Sequence, residues 1–95
     1  MLKTDKGHFW LTFENGYTVS VFNGFGSYTE NHFKTELFCV PEYQSVDSKS
    51  CEVAIIYKDL GLVNPLGWED DVKGFVTPKE LLEILNKVSK LEGEI

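Results

Sequence analysis

The sequence predicts one α+β domain over residues 1–95: a small antiparallel sheet of three to five strands with a C-terminal helix packed on one face. Three observations predict it. Two alternating runs rich in aromatic and β-branched residues, 9–13 and 17–22, flank a turn ending in Asn15-Gly16, a strong hairpin signal. Residues 51–57 hold a nearly continuous apolar stretch, Val53 to Ile56. Thr77-Pro78-Lys79-Glu80 then opens an apolar pattern at helical spacing.

The hairpin register follows from the side-chain pattern. A two-residue Asn15-Gly16 turn would place the rows Phe9/Leu11/Phe13 and Tyr17/Val19/Val21 on opposite faces. A one-residue slip reverses that, because side chains alternate with period two. A type I turn on residues 13–16, with Gly16 left-handed as a bulge, pairs Phe13 with Tyr17, Leu11 with Val19 and Phe9 with Val21. All six apolar residues then share one face, so this register is favoured. The other face carries Trp10, Thr12, Thr18, Ser20 and Phe22.

Residues 23–32 contain Gly24, Gly26 and several turn formers and read as a loop. Residues 33–40 read either as a short strand or as an irregular segment along the sheet edge, and 41–50 as a polar loop. The 51–57 strand is expected to be central and covered on both faces. Gly61, Pro65 and Gly67 mark residues 58–67 as a loop. Val72, Phe75 and Val76 suit a short edge strand. In the helix, Thr77 is the N-cap, Pro78 takes the first position and Glu80 completes a capping box. Val76 and Leu81 suit a hydrophobic staple. Leu81, Leu82, Ile84, Leu85, Val88 and Leu91 form the apolar stripe, with Lys79, Glu83, Asn86, Lys87 and Lys90 toward solvent.

Composition narrows the function classes. Hydrophobic residues make up 42% of the chain and aromatic residues 14%, which argues against disorder. The formal charge is −6, and all nine basic residues are lysines. Without arginine the chain lacks the bidentate forks that read phosphates and guanine edges. Sequence-specific nucleic-acid binding is therefore not expected. Residues 1–6 hold no apolar signal core, and no apolar run approaches a membrane span. The expected setting is soluble and cytoplasmic. Cys39 and Cys51 lack C-x-x-C spacing and are expected to be ordinary thiols, at least one in the core.

The candidate chemistry is sparse. Glu69-Asp70-Asp71 is the densest acidic cluster, but three consecutive acids cannot all face one ion, so no metal site is expected. It reads as a solvated loop or as a contact surface for a basic partner. His8 and His32 are too isolated for zinc. The Gly24-Phe25-Gly26 loop lacks the third glycine of a dinucleotide fingerprint, and no cofactor is implied. No nucleophile-elbow, metalloprotease, P-loop or kinase signature occurs, and a non-catalytic role is expected. Among the thirteen aromatics, Trp10, Phe22, Phe25 and Tyr28 are either exposed or covered by residues 33–50. Exposed, they would form a protein-binding patch.

The order of these segments resembles a group of small bacteriophage and prophage proteins. The resemblance rests on Leu11-Thr12-Phe13-Glu14-Asn15-Gly16 with Thr18-Val19-Ser20-Val21 and on the glycine-aromatic loop at 22–28 with Asn31. It continues through Cys51-Glu52-Val53-Ala54, Trp68, Asp71-Val72-Lys73-Gly74, Thr77-Pro78 and Glu80-Leu81-Leu82. It implies an accessory role: binding a host enzyme, a nuclease or an antiviral-defence component as an inhibitor or modulator. The expected contacts are Trp10, Phe22, Phe25, Tyr28, Glu69, Asp70 and Asp71. Two alternatives stand beside this reading. One is a small-ligand or nucleotide-binding module built on Gly24 and Gly26. The other is a structural or assembly component acting as a homo-oligomer.

Overall fold

The structure is a computed structural model that describes residues 1–5, 7–24, 26–34 and 47–92. Strands β1 (Leu2–Asp5), β2 (His8–Thr12), β3 (Tyr17–Phe22) and β4 (Cys51–Tyr57) pair in sequence order, each antiparallel to the next. Strands β5 (Leu62–Val63) and β6 (Val72–Val76) both pair with β4 on its far edge, β5 near its C-terminal end and β6 near its N-terminal end. A 3₁₀ turn at Lys58–Leu60 separates β4 from β5. Helix α1 (Pro78–Ser89) packs on one face of the sheet, and the α+β architecture is as expected.

The bulged hairpin register is the one that forms. Phe9 pairs with Val21 and Leu11 with Val19, while the Phe13 amide donates to the Tyr17 carbonyl at 2.8 Å. Gly16 sits at φ +93, and its carbonyl accepts from the Lys58 amide. The dihedral is what calls for glycine, since a Cβ there would meet only the movable end of the Lys58 side chain, at 2.5 Å, and the Tyr57 ring at 3.2 Å. The aligned row buries Tyr17, Val19 and Val21 against Val53, Ile55 and Tyr57. Tyr17 and Tyr57 pair directly across the strands, ring centroids 4.5 Å apart.

Strand β4 is central, but its burial strictly alternates. Cys51, Val53, Ile55 and Tyr57 are buried, whereas Glu52, Ala54 and Ile56 are half-exposed. The expectation of cover on both faces is corrected, because only the face under α1 is sealed. Two strands went unexpected. The first, β1, carries a single apolar residue and is exposed throughout. The second, β5, is only two residues long.

The helix obeys its start signals. Thr77 Oγ1 accepts from the Glu80 amide at 3.3 Å, and Pro78 occupies the first position. Glu80 is held below the usual carboxylate range, first by the backbone N–H of Thr77 and then by Lys73, whose Nζ lies 3.4 Å away. Ile84 and Val88 are buried, with Leu81, Leu85 and Leu91 packed beside them. Leu82 is corrected from stripe to surface. It is 60% exposed, because one residue past Leu81 rotates it about 100° around the axis.

The helix C-terminus is finished from the other end of the chain. Asn15 Nδ2 donates to the carbonyls of Val88 at 2.8 Å and Leu91 at 3.0 Å, while its Oδ1 accepts from the Tyr17 amide. The hairpin turn thus takes the place of the glycine cap that often satisfies such carbonyls.

Candidate functional site

Opposite the helix, the sheet presents a second face whose rows run across the strands. One row is Asp5, His8, Phe22 and Glu52; the next is Lys3, Trp10, Ser20, Ala54 and Val72. Neighbouring members of a row lie about 5 Å apart, close enough for rings to touch. His8 stacks on Trp10 with centroids 3.7 Å apart and meets Phe22 at 5.2 Å. Lys3 Nζ lies 4.9 Å from the centre of the Trp10 ring, a cation–π contact. His8 Nε2 and Ser20 Oγ share a hydrogen bond. Burial pushes the His8 imidazole below its ordinary pKa, partly offset by Asp5 and reinforced by Lys3. Burial thus disfavours the protonated ring, so stability declines as pH falls from the ordinary value near 6.5 through the lowered folded value.

The same face continues past Glu52 through a bulge in β6. Cys51 pairs with Val76 but Val53 pairs with Lys73, so Gly74 and Phe75 together oppose Glu52. The extra residue resets the alternation: Val76 enters the core while Phe75 is 63% exposed. Phe75 adopts φ +52, which is uncommon for a bulky side chain.

Loop 26–34 docks against this bulge. Its centre is a buried polar knot. Ser27 Oγ donates to the Gly24 carbonyl at 2.6 Å and contacts Thr29 Oγ1 at 2.8 Å. Asn31 Nδ2 donates to the carbonyls of Asn23 and Asp47. The Phe75 amide donates to the Tyr28 carbonyl at 2.9 Å, and the Tyr28 amide to Glu52 Oε1 at 3.2 Å. A Cβ on Gly74 would lie 2.7 Å from Tyr28 Cβ, so glycine permits this approach. The result is an open groove of about 520 Å³ lined by Tyr28, His32, Phe33 and Phe75. His32 stacks against Tyr28 at 5.9 Å and meets Phe33 edge-on at 4.5 Å.

Glu30 ties this loop to the start of β4, accepting from the amides of Lys49 and Ser50 and from Ser50 Oγ at 2.6 Å. The Ser50 hydroxyl, then the backbone donors, hold its carboxyl down at about 2. The folded pKa is depressed, so the contribution is full above the ordinary value near 4.5 and disappears as pH falls through about 2. Glu30→Gln is therefore expected to melt below the unmodified protein at pH 6, with the gap closing by pH 2. Two melting curves that stay parallel over that range would refute the tie.

The sequence-predicted site residues divide. Trp10 and Phe22 lie together on the outer face, half-buried, and Tyr28 is 56% exposed at its continuation. Phe25 lies outside the described residues, as does Cys39. Glu69, Asp70 and Asp71 are exposed just before β6. Glu69 and Asp70 line a separate hollow of about 400 Å³ that shares no lining residue with the aromatic groove. Among the described residues no three His, Cys, Asp or Glu side chains are placed to hold a metal. Around Gly24 and Gly26, the amides of Gly26, Ser27, Thr29, Asn31 and His32 all donate within the loop. These five amides therefore do not form an open nest of N–H groups of the kind that cradles phosphates.

Sequence reasoning missed three members of the face. His8 and His32 read as isolated, and Phe75 as an ordinary strand residue. The available signal was Gly74, since a glycine inside a strand pattern marks a bulge or a close approach. Cys51 is a core thiol. Burial, then the carboxylates of Glu30 and Glu80, push it up to about 11, and Sγ contacts the Val76 carbonyl at 3.5 Å. A thiol so shifted is held protonated at neutral pH, the form that is poorly nucleophilic.

Among the described residues no helix is long and apolar enough to cross a membrane. Comparison with known protein families, with curated proteins and with solved structures finds no match for this chain.

Proposed function

We propose that this chain acts by non-catalytic protein binding, gripping a partner with the aromatic face that runs from Trp10 through Phe22 to Tyr28 and Phe75. One observation carries the reading. Tyr28, Phe33 and Phe75 are 56%, 86% and 63% exposed, yet the backbone beneath Tyr28 and Phe75 is fixed by hydrogen bonds to Glu52 and to each other. Large rings on a rigid support lose little freedom on contact, and such rings dominate binding hot spots. The charge of −6 and the exposed Glu69-Asp70-Asp71 run favour encounter with a basic surface. With the resemblance to phage accessory proteins, the proposed partner is a host or host-defence protein in the bacterial cytoplasm, inhibited or modulated by occlusion. The glycine-loop reading as a nucleotide or small-ligand module has weaker support, because the amides of Gly26, Ser27, Thr29, Asn31 and His32 are spent within the loop and that of Tyr28 on Glu52.

The test is comparative capture from lysate of a bacterial host. The unmodified chain is expected to retain one stoichiometric protein that the triple variant Trp10→Ala/Tyr28→Ala/Phe75→Ala loses, an effect of at least about 100-fold for hot-spot residues. Glu69→Lys/Asp70→Lys/Asp71→Lys is expected to weaken the same complex chiefly at low salt. Equal retention by the aromatic variant, with its thermal midpoint unchanged, would sink the proposal.

A further inference from the structure

The two margins of the sheet are not equivalent. On one side β5 has two residues and β6 is bulged, with the Phe75 amide already taken by Tyr28. On the other side β1 is regular over four residues, exposed along its length and, among the described residues, paired only with β2. A regular exposed edge is a template for another strand.

Which backbone groups point outward is fixed by the β1–β2 ladder. The Met1 nitrogen and carbonyl both bond Thr12, each at 2.8 Å. Hydrogen-bonded and non-bonded pairs alternate along an antiparallel ladder. Lys3 and Asp5 therefore direct their N–H and C=O toward β2, while Leu2 and Thr4 direct theirs away from the sheet. The side chains of Lys3 and Asp5 lie on the aromatic face, beside Trp10 and His8.

These facts select a register for self-pairing. A second copy of β1, antiparallel across a two-fold axis, must match outward groups to outward groups. Centring the pair on Lys3 sets two ammonium groups against each other, and centring it on Asp5 sets two carboxylates together. Centring it on Thr4 lets the two Thr4 residues exchange backbone bonds. Each Lys3 then faces Asp5 of the other copy, at the closer, non-bonded spacing of about 4.5 Å between Cα atoms. Like charges exclude the neighbouring registers and opposite charges favour this one. We infer that the β1 edge is a self-association site, joining two copies into one continuous antiparallel sheet through paired Lys3–Asp5 contacts about Thr4. The dimer carries both Trp10 rings on the same face, flanking the four charges. The inference stands independently of the binding reading, since it uses only the edge and its charges.

The experiment is sedimentation equilibrium of the full chain under reducing conditions. The unmodified protein is expected to dimerise reversibly with concentration. Lys3→Asp and Asp5→Lys each turn both attractive contacts into repulsive ones and are expected to weaken dimerisation at least about tenfold. Mixing the two variants restores both attractive contacts and is expected to recover the original affinity as a heterodimer. Both positions are exposed, and circular dichroism of each variant checks that the fold is kept. A chain monomeric up to about 1 mM, a dimer indifferent to both substitutions, or variants that stay apart on mixing would each overturn the inference.

Discussion

Replacing Ile55 by alanine is expected to destabilise the protein by about 3–4 kcal/mol, the largest effect of any single truncation. Ile55 is fully buried at the middle of β4, paired with Val19 on one side and Val63 on the other. Its side chain belongs to the cluster with Val53, Ile84 and Val88. Hydrogen-bonded strands on both sides limit how far the backbone can collapse into the gap, so the cavity term adds to the lost transfer energy. A 95-residue chain has a total stability of order 5–15 kcal/mol. The midpoint should therefore fall by about 15–20 °C. Ile55→Val, which removes one methyl, should cost only about 1 kcal/mol, and Leu82→Ala on the exposed helix surface less than about 0.5 kcal/mol. Chemical denaturation of the three variants checks the ranking. A loss below about 1 kcal/mol for Ile55→Ala would mean that the β4 core is not packed as described.

The second large effect is expected at Asn15, at about 2 kcal/mol for alanine. The substitution removes three hydrogen bonds, each with a net value near 1 kcal/mol. Val88 O keeps a local donor in the Leu91 amide, which holds the sum below three full bonds. Asn15→Asp is the sharper probe. It retains the oxygen that accepts from Tyr17 and so preserves the turn. It loses the Nδ2 donor, however, and sets a negative charge against carbonyls at the negative end of the helix dipole. Aspartate is expected to be at least as damaging as alanine. If Asn15→Asp folds with unchanged stability, the contact with the helix end carries no weight and Asn15 is a turn residue only.

Legibility in the sequence followed the range of the interactions involved. The hairpin register, the β4 strand and the Thr77 cap were readable because each is written in residues a few positions apart. Strand β1 was not, because its residues bury nothing and pair only by virtue of a neighbour. Asn15 read as half of a turn signal, and its partners 73 and 76 positions away leave no local trace. The candidate site was half legible. Trp10 and Phe22 followed from the register, and Tyr28 from its glycine-rich surroundings. Phe75 did not, because a bulge changes which face a residue serves without changing the residue. The Ser27–Thr29–Asn31 knot that positions Tyr28 looked like generic loop composition. Its polar side chains are buried only because the loop folds onto them.

The left-handed backbone at Phe75 sets two demands against each other. A bulky residue at φ +52 costs roughly 1–3 kcal/mol of backbone strain, and its ring recovers little of this because it faces solvent. For folding alone, glycine is the better residue at position 75; for an aromatic surface, it is the worst. Selection of variants for thermal stability would discard this ring early, while selection for partner capture would keep it. If the proposed binding reading holds, position 75 is a point where durability and grip trade directly against each other, and thermostabilising substitutions there are expected to weaken partner capture first.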